Sequence, residues 1–298
     1  MKLSTLIKAE KLVPIRYLRP YVAKILTQDS MTSQGYERAC MRLVDPNLIS
    51  EPLPLSLQPK WWNVDPIVKA NRLGLNLTLD LRDNIQRCIY FTGKYEPQTL
   101  ALIRNELQPN DVFIDVGAHI GIHSLVAAQK LKSLGGGQVI AFEPTNDSQK
   151  RIIENSKANH LAISLQKIAL GNQSETLSLY GDKNWGVHDA AVRSFFGNGA
   201  IIQEVEVHKF DDWIKQSSLN KIDVIKIDAE GAEFDILKGM SNSIQKFEPR
   251  CLIFEIKESL LKKANVSHQD ILVLMKNLGY QPEQQVCEGN YFFRRISS

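Results

Sequence analysis

The stretch "DVFIDVGAHIGIHSL" (residues 111–125) decides the fold. Val112, Phe113 and Ile114 form an apolar run that stops at Asp115; Gly117 and Gly121 follow, four residues apart, and Ile120, Leu125 and Val126 then recur at helical spacing. An apolar strand that runs into a glycine turn and on into a helix is how α/β proteins build a nucleotide pocket at the carboxyl edge of a sheet. Glycine suits such a turn because backbone can approach a ligand where a Cβ would collide.

Working outward, strand signals recur at "VFIDV" (112–116), "QVIAFE" (138–143), "ISLQKIAL" (163–170), "DVIKID" (223–228) and "CLIFEI" (251–256). Helices are predicted at 95–107, where Leu100, Ile103 and Leu107 share a face, and at 146–159 and 230–240. Short apolar strands alternating with helices imply a mostly parallel, doubly covered sheet. Residues 172–210 interrupt the alternation with "ETLSLY", a glycine-bearing loop (181–199) and "QEVEVHKF", and "VCEGNYFFRR" (286–295) reads as a hairpin. Residues 1–90 differ in texture. Pro46, Pro52, Pro54, Pro59 and Pro66 punctuate them after an initial helix, and "LGLNLTLDL" (73–81) and "IYF" (89–91) read as strands. The chain is therefore divided into an N-terminal extension, 1–90, and an α/β domain, 91–298.

Of the 298 residues, 43% are hydrophobic and 23% charged, the proportions of an ordinary globular protein. Lys and Arg number 36 against 33 Asp and Glu, a net charge of +3 that argues against a nucleic-acid partner. Cys40, Cys88, Cys251 and Cys287 are scattered without a CxxC pair, which fits neither a zinc site nor a redox motif and suits a reducing cytoplasm. Residues 1–26 carry six basic side chains and one acid, Glu10; Lys8, Glu10, Lys11 and Arg16 break up any secretory core of roughly 7–15 apolar residues. No run approaches the roughly 18–20 apolar residues of a membrane span, so no integral membrane segment is predicted. Leu3, Leu6, Ile7 and Leu12 form a basic amphipathic face, read as a packing arm, substrate cap or homodimer contact in preference to a membrane-surface helix.

The turn also discriminates among cofactors. A dinucleotide fold prefers G-x-G-x-x-G with an acid about 20 residues on. Here the middle glycine is missing and the acid ending the next strand, Glu143, comes 26 residues after Gly117. A Walker loop is absent altogether. What remains is a ligand with a ribose and no phosphates: Glu143 can accept hydrogen bonds from ribose hydroxyls and Asp115 can attract an amino group. S-adenosylmethionine has these parts. A nicotinamide cofactor, or none, stays open at this point.

"FTGKYEPQTLALIRNELQPNDVFIDVGAHIGIHSL", "VIAFEP", "IALGNQSETLSL", "IDVIKIDAEGAEFDILKGM" and "LIFEIKE" together resemble the FkbM-type methyltransferases over roughly residues 73–295. The resemblance implies a class I methyltransferase fold, a Rossmann-like sheet of seven strands, the last antiparallel. It also implies an S-adenosylmethionine site along Asp115, Gly117, Ala118, His119 and Gly121, then Glu143 with Pro144, and near Ala169. Tyr95 and Glu96 match a family motif that closes over the cofactor, and His119 stands where asparagine is commoner.

Methyl transfer to a hydroxyl requires in-line positioning and removal of a proton, by a base or with a metal ion. Asp228, ending the fourth strand at the cleft, and Glu230, predicted to open the following helix and to be kept ionised by its dipole, are the candidate acids; Asp228 also borders the cofactor. Glu233 reads as a helix cap. Glu255 ends the fifth strand and can face the same cleft. Asp228, Glu230 and Glu255 offer oxygen ligands for magnesium, but their spacing requires no metal and none is predicted. Lys226 is read as the structural partner of an acid, and His123 as a packing residue. His188, in the loop "NWGVHDAA" with Asn184 and Trp185, is a candidate for substrate contact. The sequence thus points to an S-adenosylmethionine-dependent O-methyltransferase acting on a small molecule, a sugar or secondary metabolite, at a hydroxyl or a carboxyl group. An NAD(P)-dependent oxidoreductase and a catalytically silent scaffold are the alternatives. The first lacks the middle glycine of a dinucleotide loop, and the intact acid set counts against the second.

Overall fold

The computed structural model describes residues 67–80, 83–181, 200–257, 261–262, 264–287 and 290–296. The readings made for residues 1–66 and for the loop bearing Asn184, Trp185 and His188 lie outside these. The chain divides into two compact units, with the break between Tyr95 and Glu96. Among the described residues no helix is long and apolar enough to cross a membrane.

In the first unit, β1 (Ile67–Arg72) and β2 (Leu75–Asp80) pair antiparallel through a two-residue turn. Leu73 and Gly74 both have positive φ there, the backbone that matches strand twist in a tight hairpin. Leu75, Leu77 and Leu79 form the buried alternate set of β2. "IYF", predicted as a strand, instead lies in helix α1 (Asn84–Thr92). Three apolar residues cannot distinguish the two periods; the caps decide. The Asp83 carboxylate accepts from Gln86 N at 2.8 Å, and Gly93, at φ 70°, closes the other end.

The second unit opens with α2 (Pro97–Glu106), β3 (Val112–Val116), α3 (Ile122–Ser133), β4 (Gln138–Phe142), α4 (Asn146–Ala158) and β5 (Ser164–Gln166). A small sheet follows, of β6 (Ala169–Leu170), β7 (Glu175–Gly181) and β8 (Ala200–His208), in the order β6-β8-β7. The stretch 163–170, predicted as one strand, therefore serves two sheets. Then come α5 (Phe210–Trp213), β9 (Val224–Ile227), α6 (Glu233–Gly239), α7 (Ser241–Phe247), β10 (Cys251–Glu255), α8 (His268–Asn277), β11 (Tyr280–Cys287) and β12 (Asn290–Arg295). The predicted terminal hairpin is present and begins earlier, at Tyr280.

The main sheet has seven strands in the order β11-β12-β10-β9-β3-β4-β5. From β10 to β5 all neighbours are parallel. β12 is antiparallel to both β10 and β11, so it alone is reversed. This is the class I methyltransferase topology.

Alternation along each strand sorts the side chains. Val112, Ile114, Val116, Ile225, Ile227, Leu252 and Phe254 face one core, shared with Phe210, Ile236, Leu237, Met240, Ile271 and Met275 of the helices on that side. Phe113, Val139, Val224, Cys251 and Ile253 face the other, against Ile103 and Leu107 at α2 and Ala127, Ala128 and Leu131 of α3. Each large apolar side chain so buried contributes about 1.5–3 kcal/mol. Two residues further along the second face, alternation turns the same rows polar, to Asp115 on β3, Lys226 on β9 and Glu255 on β10. On β4 the row runs through Ala141 to Glu143. One face thus changes from oil to charge at the carboxyl edge of the sheet.

Candidate active site

The turn after β3 is held from below. Gly117 N and Ala118 N both donate to Phe142 O, at 3.0 and 3.1 Å, and Gly121 N donates to Ala118 O at 2.8 Å. Gly117 sits at φ +76°, and a Cβ there would stand 1.8 Å from the carbonyl oxygen of Asp228. The glycine therefore admits the backbone leaving β9, where the sequence had suggested that it admits a ligand. His119, at φ +51°, turns its amide to Glu143 Oε2 at 2.8 Å.

Glu143 is buried and mostly committed to this turn. Its Oε1 accepts from Thr145 N at 2.9 Å and from Thr145 Oγ1 at 2.6 Å. A carboxylate has about four acceptor directions, so one remains, on Oε2. Burial raises the Glu143 pKa, against the lowering effect of Thr145 and His119. Pro144 O accepts from Gln203 Nε2 at 2.9 Å, and Asn146 N donates to Gln203 Oε1 at 3.2 Å, tying β8 to the turn after β4. Ala169 is buried among Val205, Val207 and Leu177 of the small sheet.

Asp115 is fully buried. Its Oδ2 accepts from Ser124 Oγ at 2.6 Å, whereas Oδ1 has no hydrogen-bond partner among the described residues. Lys226 is its register partner on β9 and donates from Nζ to Asp228 Oδ2 at 3.0 Å. Burial opposes the Lys226 charge, but the carboxylates of Asp228, Asp115 and Glu96 outweigh it and hold the ammonium above its usual range. Burial likewise opposes charge on Asp228; Lys226 and Lys257 prevail and bring that carboxyl down to about 2. Glu96 caps α2 from a left-handed backbone and lies 3.1 Å from His123 Nε2. Burial opposes its charge too, yet His123 and Lys226 lower its pKa. His123, read from sequence as packing, is buried as the partner of Glu96. Tyr95 belongs to the other unit.

The helix predicted from residue 230 begins at Glu233. Glu233 Oε1 accepts from Ala229 N at 2.9 Å and Gly231 N at 3.2 Å, which closes 229–231 into a turn with positive φ at Glu230 and Gly231. Glu230 is thus outside the first helical turn, and the dipole that was to keep it ionised does not act on it. Burial raises its pKa to about 7, aided by Asp228 and Glu233 and opposed by Lys257. Burial, then the Asp228 charge, raises Glu255 to about 8. Asp228, Glu230 and Glu255 each place an oxygen within 4.8 Å of the others. Lys257 Nζ stands 2.8 Å from Glu255 Oε2 and 3.8 Å from Glu230 Oε2, so the chain itself supplies a cation to these acids.

Within the second unit the fold thus gathers Asp115, Glu96, Asp228, Glu230 and Glu255 at one end of one sheet face. Lys257 was not singled out from the sequence, although "FEIKE" places it two residues after Glu255. The Ser124–Asp115 and His123–Glu96 pairs carry no spacing signal of their own.

The family model described as the methyltransferase FkbM domain matches residues 115–282, more than half of the chain. Among curated proteins, the chain is 28% identical over 152 residues to the hexuronic acid methyltransferase AglP of Haloferax volcanii, covering 50% of this chain and 58% of that protein. It is 25% identical over 183 residues to the 2-O-methyltransferase NoeI of Sinorhizobium fredii, covering 56% and 72%. A solved methyltransferase FkbM from Methylobacillus flagellatus KT aligns with a TM-score of 0.42 at 17% identity, over 63% of this chain and 44% of that one. The strand order, the acid-lined carboxyl edge and the extent of the family match agree: the chain belongs to the FkbM methyltransferase family.

Proposed function

We propose that the protein is an S-adenosylmethionine-dependent O-methyltransferase whose acceptor is a hydroxyl of a small molecule of the sugar or secondary-metabolite type, acting in the cytoplasm. The observation that carries this reading is Asp115. A fully buried carboxylate with one oxygen unpaired among the described residues, beside a glycine turn, suits a ligand amino group. The remaining acceptor direction of Glu143 Oε2 suits one ribose hydroxyl. When bound, S-adenosylmethionine supplies a methyl group on a positively charged sulfur, which leaves with the carbon–sulfur electron pair.

The chain's own residues account for the proton. Glu230, with a pKa of about 7, is ionised in about half the molecules at neutral pH and can take the acceptor's hydroxyl proton. Asp228, anionic throughout the neutral range, can orient the same hydroxyl. Two relatives are named for methylation of a hexuronic acid and at a 2-O position, which supports a sugar acceptor. A carboxyl acceptor is the second reading, since a hexuronic acid carries both groups; it needs no base.

The test is calorimetric titration of the purified protein with S-adenosylhomocysteine, with NAD as control, followed by transfer of labelled methyl groups to a panel of neutral sugars and uronic acids. Binding of S-adenosylhomocysteine alone and labelling of a sugar oxygen is the expected result. Binding of NAD alone would overturn the reading in favour of an oxidoreductase, and binding of neither would favour a silent scaffold.

A further inference from the structure

Lys226 is out of place in an ordinary sheet. It is 1% exposed, the third residue of β9, between β3 and β10, and lysine is almost never buried unless paired. Around it stand Asp115 on β3, Glu96 at the start of α2, His123 on α3 and Asp228 beyond the end of its own strand; Glu255 and Lys257 border Asp228 from β10. A salt bridge needed only for packing could be replaced by apolar side chains at no loss, and often with a gain in stability. This ammonium instead bonds Asp228 and lies in register beside Asp115, and both carboxylates border the proposed ligand site.

We propose that Lys226 is a positioning residue for cofactor binding: its buried ammonium, bonded to Asp228 and set beside Asp115, fixes the direction of both carboxylates and keeps their negative charge tolerable in the absence of ligand. The inference rests on the methyltransferase reading. Its physical content is that Lys226 acts through its acids. Removing the ammonium leaves Asp115 without its neighbouring cation and Asp228 with Lys257 alone, so that one or both acids turn away or take up protons. Either response spoils the acceptor that Asp115 Oδ1 presents.

The test is a double-mutant cycle read by calorimetric binding of S-adenosylhomocysteine, with circular dichroism to confirm folding. Lys226→Met should weaken binding by about tenfold, the size of a single coupling between neighbouring groups. Lys226→Arg, which keeps the charge, should recover most of that loss. In an Asp228→Asn background, Lys226→Met should cost clearly less than in the wild type, because one of the two carboxylates through which it acts is already neutral. The double variant has no uncompensated member of the pair, so it keeps the test open where Lys226→Met alone fails to fold. Wild-type affinity in folded Lys226→Met, no recovery by Lys226→Arg, or a full loss added on top of Asp228→Asn would each overturn the proposal. Absence of binding by the wild type would overturn the methyltransferase reading itself and with it the role of Lys226, so the two failures are distinct.

Discussion

The carbonyl oxygen of Asp228 occupies the space in which Gly117 would carry a side chain, 1.8 Å from the Cβ position. The turn after β3 and the exit from β9 are consequently packed backbone against backbone, and the acid's position depends on a glycine more than a hundred residues earlier in the chain.

Gly117→Ala should therefore displace Asp228 and cost at least about 3 kcal/mol, adding collision to the roughly 1–2 kcal/mol of left-handed strain. Gly74→Ala, at φ +75° with nothing within 4 Å of its Cβ, should cost only the strain. Chemical denaturation of both variants checks this. Equal losses would mean that the β3–β9 contact yields easily.

Glu143→Gln replaces an acceptor-only group facing three donors with an amide that presents two hydrogens. At least one of His119 N, Thr145 N and Thr145 Oγ1 then loses its partner. The expected cost is about 1–3 kcal/mol of stability per stranded buried group, together with weaker S-adenosylhomocysteine binding. Denaturation and calorimetry read the two effects separately; unchanged affinity would remove Glu143 from the cofactor site.

Once an acceptor is in hand, turnover should rise with pH through about 7 as Glu230 ionises. Glu230→Gln should abolish that limb and lower turnover by about 10²–10⁴, the usual contribution of a general base, while sparing S-adenosylhomocysteine binding. A pH profile of kcat for both proteins decides the matter, and a surviving limb in the variant would point to another base.

Stability should depend on pH through the same acids. Glu230 and Glu255 are raised to about 7 and about 8 in the fold, from about 4.3 in the unfolded chain, so over that interval the folded protein binds more protons. Their contribution is fully present below the unfolded value and is lost as pH rises through 7 and 8. Asp228, lowered to about 2, has the opposite sign: its contribution holds above about pH 3.9 and is lost only as pH falls toward 2. Between pH 5 and 9 the melting temperature should fall, and Glu255→Gln should flatten the fall. Parallel melting curves for the two proteins would contradict this.

The amino edge of the sheet offers a control. Arg250 bonds Asp111, Asp223 and the carbonyl of Glu106 there, and Asp111 is buried. Arg250→Ala should destabilise the protein by about 3 kcal/mol, as expected when a buried partner is stranded, and leave S-adenosylhomocysteine affinity unchanged.

Four strands of the α/β unit, β3, β4, β9 and β10, are legible in the sequence because each is a short apolar run that meets a charge: Asp115, Glu143, Asp228 and Glu255 stand at or next to their carboxyl ends. Less legible is what depends on contacts between distant residues. "IYF" became helical through Asp83 and Gly93, and "ISLQKIAL" was divided because β8, forty residues later, pairs with its second half. The start of α6 moved by three residues because Glu233 bonds backward to Ala229 and Gly231, and that local shift changes Glu230 from a fixed anion into a titrating group. Candidate acids could thus be picked by type and place, while their protonation depended on burial and on Lys257, which no spacing rule identifies.

The reversed strand β12 has a consequence for synthesis. β11 reaches the sheet only through β12, which lies between it and β10 although it follows both in the chain. On the ribosome β11 has no template until residues 290–295 have emerged from the exit tunnel, and the flank of β10 stays bare until then, with Phe254 waiting for the stacking partner that Phe293 supplies. Assembly of that side of the sheet therefore waits for β12, and until β12 pairs the nascent chain carries an unpaired, apolar strand edge.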